Sequence, residues 1–244
     1  MSRLDDLMTF YQVLALLEQR LGGKRLLREC NGHQGWPQRG IYFFFEPGEF
    51  RSPSDMGPRV VRVGTHALKA GSKSSLWRRL SQHKGVLHSG GGNHRGSIFR
   101  LLTGQALIAR DSLNIPTWSI GGDIGKAAHD QDMKREQVKL LELPVEKAVS
   151  ESIGIMELLW LSVDDDPGSD SLRGYLERNA IALLSNYRKD PIDPPSSNWL
   201  GLFSDREKVR ESGLWNSNHV SEDYDPEFLG KLKNKIDKAT TNPI

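Results

Sequence analysis

The chain has 244 residues, 37% hydrophobic and 26% charged, which fits an ordinary globular protein of one large domain or two small ones. No apolar run approaches the roughly 18–20 residues that a membrane-spanning helix needs, and the acidic start, Met1-Ser2-Arg3-Leu4-Asp5-Asp6, is unlike a secretory signal. The single cysteine, Cys30, excludes an internal disulfide and a cysteine-based zinc site and suits a reducing, cytoplasmic setting, while the net charge of +2 argues by itself for no particular partner.

In chain order, residues 4–21 carry Leu4, Leu7, Met8, Val13, Leu14, Leu17 and Leu21 at helical spacing, with Gly22-Gly23 as a stop. This helix either packs on the main domain or pairs two copies of the chain. Residues 40–45 read as a buried, aromatic strand ended by Pro47-Gly48, and 59–65 as a second strand rich in β-branched residues. The link between them holds Pro47, Pro53, Gly57 and Pro58 and predicts an irregular hairpin. A helix with a serine cap is expected at 75–82, a glycine-rich loop at 89–93, and helices at 97–110 and 131–141. The apolar run at 153–163 predicts a third strand ending at Val163. Asp164-Asp165-Asp166-Pro167-Gly168 is a solvated turn. A helix at 171–185 follows, capped by Ser169 or Asp170. Pro191, Pro194 and Pro195 then break regular structure, and 196–228 is loop-rich with Trp199, Trp215 and Tyr224 as anchors. A short basic helix is expected at 229–239. There is no internal repeat. A P-loop Gly-Lys-Ser/Thr and a convincing Gly-x-Gly-x-x-Gly are both missing, which argues against nucleotide-driven or dinucleotide chemistry.

Charge is distributed unevenly. Residues 56–110 contain ten Lys or Arg and no Asp or Glu, so the rest of the chain sums to −8. The same stretch holds His66, His83, His88 and His94 among glycines and serines. This predicts a surface for polyanion contact rather than a chance run of solvated side chains. Lys69, Lys73, Arg78, His94, Arg95 and Arg100 are its candidate nucleic-acid contacts, with Arg62. Trp215-Asn216-Ser217-Asn218-His219 is a second polar segment that either contacts DNA or anchors the core through Trp215.

Four features bear on chemistry. Gly40-Ile41-Tyr42 lies on the first strand and Arg62-Val63-Gly64 on the second. Arg79 and His83, four apart, share one helix face. Glu177 stands near the front of an apolar helix. Together these residues resemble the GIY-YIG nuclease family, in its bacterial, restriction-endonuclease-like branch. The resemblance covers about residues 40–187. It implies an α/β fold with a small, mainly antiparallel, three-stranded sheet flanked by helices. It divides the chain into an N-terminal helical extension (1–35), a nuclease domain (36–190) and a loop-rich C-terminal extension (191–244).

The resemblance also implies a metal-dependent endonuclease that hydrolyses DNA, duplex preferred, by in-line attack of water. Tyr42 would activate the water, Arg79 would hold the phosphate with His83 assisting, and Glu177 would bind Mg2+ (or Mn2+). The second triplet departs from the pattern, since Arg62 stands where the family usually has tyrosine. Arginine can contact phosphate but cannot serve as a base at neutral pH, so His66 becomes a candidate for proton transfer. Family members often carry an asparagine beyond the glutamate helix, and Asn186 and Asn198 are both candidates. The alternative reading is a catalytically degenerate domain that binds nucleic acid. Cutting both strands would require a homodimer or two successive acts.

Overall fold

The run Gly40-Ile41-Tyr42-Phe43-Phe44-Phe45 has no polar face, because the strand that contains it is covered on both sides. In the computed structural model, which describes residues 2–86 and 89–239, this strand is β2 (Gly40–Arg51). Its partners are β1 (Arg25–Leu26), β3 (Gly57–Gly64) and β4 (Glu157–Ser162), in the order β1-β4-β2-β3 with every neighbouring pair antiparallel. Side chains alternate across a strand. Ile41, Phe43 and Phe45 therefore enter one core with Leu159 and Leu161, and Tyr42 and Phe44 enter the other with Leu158 and Trp160.

The first core is closed by α1 (Arg3–Leu21), α6 (Leu172–Leu184) and α8 (Glu227–Lys238). The second is closed by α2 (Leu76–Lys84), α3 (Ile98–Arg110) and α5 (Arg135–Gly154). Two short helices, α4 (Ile124–Asp130) and α7 (Glu207–Ser212), complete the set. Among the described residues no helix is long and apolar enough to cross a membrane.

The sheet has four strands, not three. Arg25 pairs with Leu158 and Leu26 with Glu157; two residues are too few for an alternation that sequence can show. Pro47-Gly48 does not end β2, because the register shifts between Phe45 and Phe50 and pairing resumes at Phe50↔Pro58. The apolar run at 153–163 divides, with α5 continuing to Gly154 and β4 starting at Glu157. The helix expected at 131–141 thus extends well beyond it, through Pro144. Tertiary anchoring offsets the lost backbone hydrogen bond: Val138, Val145, Val149 and Ile153 are buried along α5. The cap of α6 is Ser171, whose side chain accepts from the Gly174 N–H, rather than Ser169 or Asp170.

The acid-free stretch does not form one surface. Arg59 donates to Glu49 Oε2 at 2.8 and 2.6 Å, and Arg95 grips Glu142 bidentately at 2.7 Å for both bonds. Arg100, fully buried, donates to Glu146 Oε2 at 3.1 Å and to the His83 carbonyl at 2.9 Å. His94 is also buried, with Nδ1 2.9 Å from Glu146 Oε1 and its ring stacked on Trp118. His94, Arg95 and Arg100 are therefore not surface contacts for nucleic acid; they tie α3 and the preceding turn to α5. Lys69, Lys73 and Arg78 are exposed on the segment from β3 into α2. His88 lies outside the described residues.

The C-terminal region is bound into the fold by carboxylates of the β2–β3 hairpin. Glu46 Oε2 accepts both the Trp199 and Trp215 indole N–H groups at 2.9 Å, and Glu49 accepts the Ser196 N–H. The exposed edge of β3 is sealed by residues 215 and 216. Trp215 N–H donates to the Val61 carbonyl at 2.7 Å, while the Asn216 side chain bonds both Val63 N–H and C=O.

Removing one partner of a buried, hydrogen-bonded ion pair leaves an uncompensated charge. Arg100→Met should lower unfolding free energy by about 3–5 kcal/mol, read as a lower urea midpoint with unchanged slope. Arg100→Met combined with Glu146→Gln should recover part of the loss, because the neutral amide oxygen still accepts the His94 N–H; a double variant as unstable as the single one would contradict this account.

Candidate active site

Tyr42 projects from β2 toward the α2 layer opposite Gly64 of β3. A Cβ at position 64 would overlap the phenol, so the missing side chain is what admits the ring. The phenol oxygen lies 2.8 Å from His83 Nε2, and His83 Nδ1 lies 2.8 Å from Ser97 Oγ. Leu76 and Leu80 bury the inner face of α2 and hold His83 under the sheet. Burial, with Arg79, Arg62 and Arg100 nearby, pushes the His83 imidazole well below its ordinary pKa. The ring is therefore neutral at pH 7, and one nitrogen donates while the other accepts.

A cleft of about 240 Å³ opens beside Tyr42. Arg62, Arg79 and Glu177 line it, and Asn216, Asn218 and His219 form another part of its wall. Arg79 is half-exposed on α2, with Nη1 donating to Gln82 Oε1 at 3.1 Å and to the Gly96 carbonyl at 3.2 Å. Arg62 is buried, its guanidinium 4.7 Å from the centre of the Phe99 ring and hydrogen-bonded to the Trp215 carbonyl. Two cations and one carboxylate thus face each other.

Glu177 comes from α6. Its Oε1 accepts the Thr65 N–H at 3.1 Å. Arg173 and Arg178 are engaged elsewhere, with Asp165 at 2.7 Å and Glu222 at 3.9 Å. Burial raises the carboxyl above its ordinary pKa; Arg62, His219, the Thr65 N–H and Arg79 oppose the rise without cancelling it. Among the described residues no cluster of three or more His, Cys, Asp or Glu could hold a metal ion, so any metal here rests on few protein ligands.

The structure thus brings Tyr42, Arg62, Arg79 and Glu177 to one cleft, with His83 directly behind Tyr42. His66 is not among them. It is buried beyond β3, with Nε2 3.2 Å from the Gln38 carbonyl, and burial pulls its pKa down to about 4. Asn186 is also elsewhere, accepting from Arg3 and from the Ile192 N–H, and Asn198 is exposed outside the cleft. The asparagines that reach the cleft are Asn216 and Asn218. Sequence reasoning noted their segment as polar but had no signal for its place beside Tyr42. Ser97, the second partner of His83, was legible only as a helix cap.

A family model for the GIY-YIG domain matches residues 1–242. The chain therefore belongs to the GIY-YIG domain family, and that membership implies nuclease-type function. The match runs through the N-terminal helix and the C-terminal segment as well as the central sheet. No curated protein and no solved structure matches the chain.

Gly64→Ala should destabilise the fold by about 1–3 kcal/mol, the range for overpacking, measured by urea unfolding; a neutral effect would mean that the phenol has room to move. His83 gives a pH signature. Its folded pKa lies below the unfolded value near 6.5, so the unfolded state binds more protons as pH falls below that value. The stability it contributes is present above pH ~6.5 and lost on acidification, with a slope approaching about 1.4 kcal/mol per pH unit. Histidine 15N shifts should show His83 still neutral at pH 5.5; titration near 6.5 would refute the assignment.

Proposed function

We propose that the chain is a metal-dependent endonuclease that hydrolyses phosphodiester bonds of DNA, with duplex DNA as substrate. The observation that carries this reading is the convergence of Tyr42, Arg62, Arg79 and Glu177 on one polar cleft, with His83 hydrogen-bonded to the phenol.

Arg79 and Arg62 offer guanidinium donors to the non-bridging oxygens of a phosphodiester and oppose the charge that grows in the transition state. Arg62 takes part as a phosphate contact, not as a proton carrier. In the tautomer that serves the reaction, His83 Nδ1–H donates to Ser97 Oγ and Nε2 accepts the Tyr42 hydroxyl proton. The arginines around His83 disfavour a proton on it in the free protein. A bound phosphodiester would offset their charge, so Tyr42 would accept a proton from the attacking water while passing its own to His83.

Glu177 fits a divalent ion. It is a half-buried carboxylate in no ion pair with any described residue, in a polar cleft with space for water. Mg2+ or Mn2+ bound there would neutralise charge at the leaving 3′ oxygen. The products would be a 5′ phosphate and a 3′ hydroxyl. Exposed Lys69, Lys73 and Arg78 would contact the flanking backbone, and cutting both strands would take a second copy or a second act. Cys30, buried and unpaired, accords with a reducing, cytoplasmic setting.

Arg62 in place of tyrosine favours a second reading, a degenerate domain that grips DNA without cutting it. Supercoiled plasmid separates the two. The purified protein should nick or linearise it with Mg2+ or Mn2+ and not with EDTA. Glu177→Ala should lose the activity, and Arg79→Ala should lose about 10²–10³-fold. Cleavage that survives in Glu177→Ala would reject the site. Salt-sensitive binding with no cleavage in either metal would establish the second reading.

A further inference from the structure

His219 adopts the left-handed backbone region, φ +63°, which non-glycine residues enter rarely and which clusters at functional sites. Its Nδ1 lies 2.7 Å from Glu222 Oε1, three residues on. Its other nitrogen, Nε2, has no partner among the described residues. The ring is about one-third exposed.

Its position is informative. His219 and Glu177 both line the cleft that contains Tyr42, Arg62 and Arg79. Both also line an adjoining recess beside the start of α6, which those three residues do not reach. The imidazole and the carboxylate therefore stand on the boundary between the two spaces. They form no ion pair with each other, and both face the two adjoining spaces. A carboxylate on one ring nitrogen with the other left free is the arrangement that orients metal-ligating histidines and makes them better donors.

We propose that His219, through Nε2, is a second protein ligand to the divalent cation held by Glu177, and that Glu222 positions its ring. This rests on the nuclease reading above and extends the ligand set to the C-terminal segment. An imidazole nitrogen also changes which ion is preferred. Mg2+ seeks oxygen donors, whereas Mn2+ and later first-row ions accept nitrogen readily. Two protein ligands leave the remaining coordination positions to water and substrate oxygens.

Mn2+ binding followed by pulsed electron paramagnetic resonance, without DNA, tests the assignment directly. Wild-type protein should show 14N coupling from a coordinated imidazole. His219→Asn, chosen because asparagine tolerates the left-handed backbone, should remove the coupling and weaken Mn2+ at least tenfold. Glu222→Gln should keep the coupling and weaken Mn2+ about 10–100-fold. Mn2+ bound without 14N coupling, coupling retained in His219→Asn, or an unchanged affinity in that variant would overturn the proposal. If such protein still cleaves plasmid and loses both Mn2+ and cleavage in Glu177→Ala, the nuclease reading stands with a lone carboxylate. Wild-type protein that neither binds Mn2+ nor cuts would remove both.

Discussion

The site depends on a cross-strand pair in which one member has no side chain. Tyr42 sits opposite Gly64, and the phenol lies over the glycine. This fixes three things together. It lets the ring cross β3 without lifting the strand, aims the hydroxyl at His83 beneath the sheet, and keeps the same hydroxyl at the edge of the cleft. Register enforces the arrangement, because a slip of one residue would send Tyr42 into the core of Phe43 and replace it with an apolar chain. β2 is buried on both faces, so that slip would also misplace every neighbouring aromatic. The packing that stabilises the sheet is thus what holds the candidate catalytic phenol in place.

The basic stretch shows why charge along a sequence is an uncertain guide to charge on a surface. Five of its ten cations, Arg59, Arg62, Lys84, Arg95 and Arg100, have buried side chains. Three of the five are matched by glutamates outside the stretch, Glu49, Glu142 and Glu146. A charge-rich window in sequence becomes a set of interior ties once the acids arrive from elsewhere. What remains for a polyanion is narrower: Arg79 and Arg62 in the cleft, and the exposed Lys69, Lys73 and Arg78 beside it. Buried ion pairs of this kind are weak evidence for stability, since desolvation offsets much of the attraction. Their geometry here links α3 to α5 and the hairpin to the C-terminal region, which suits a role in specifying one arrangement.

The elements that carry the cleft residues are written locally in the sequence. Tyr42 was legible from its strand, and Arg79 with His83 from a four-residue helical spacing. Glu177 was legible only through the ordered resemblance, because an isolated glutamate between two arginines reads as a surface ion pair. The structure instead sets it half-buried in the wall of the cleft and commits Arg173 and Arg178 to other acids. Contacts that join residues more than a hundred positions apart could not be read. Asn216 bonds Val63 across 153 residues, and nothing in either neighbourhood announces that pairing. β1 was missed for a different reason, since two residues carry no period. His66 is two residues from Gly64 along the chain but not in the cleft, because the backbone beyond β3 turns the ring toward Gln38.

The C-terminal segment is best understood as the answer to an edge. β3 ends the sheet and would present unpaired backbone groups on its outer side. Trp215 and Asn216 take up those groups, and the position of Trp215 is set by Glu46, which accepts its indole N–H beside that of Trp199. Sealing the edge also sets the direction of the chain. The next three residues must run along the mouth of the cleft, which brings Asn218 and His219 to its wall. Arg62 takes part in both tasks, because the guanidinium that faces Tyr42 and Glu177 also donates to the Trp215 carbonyl. The residue that departs most from the family pattern is therefore the one that joins the sheet to the segment completing the cleft. A tyrosine there would lack the guanidinium's several donors, so the tie between the sheet and the C-terminal wall depends on Arg62.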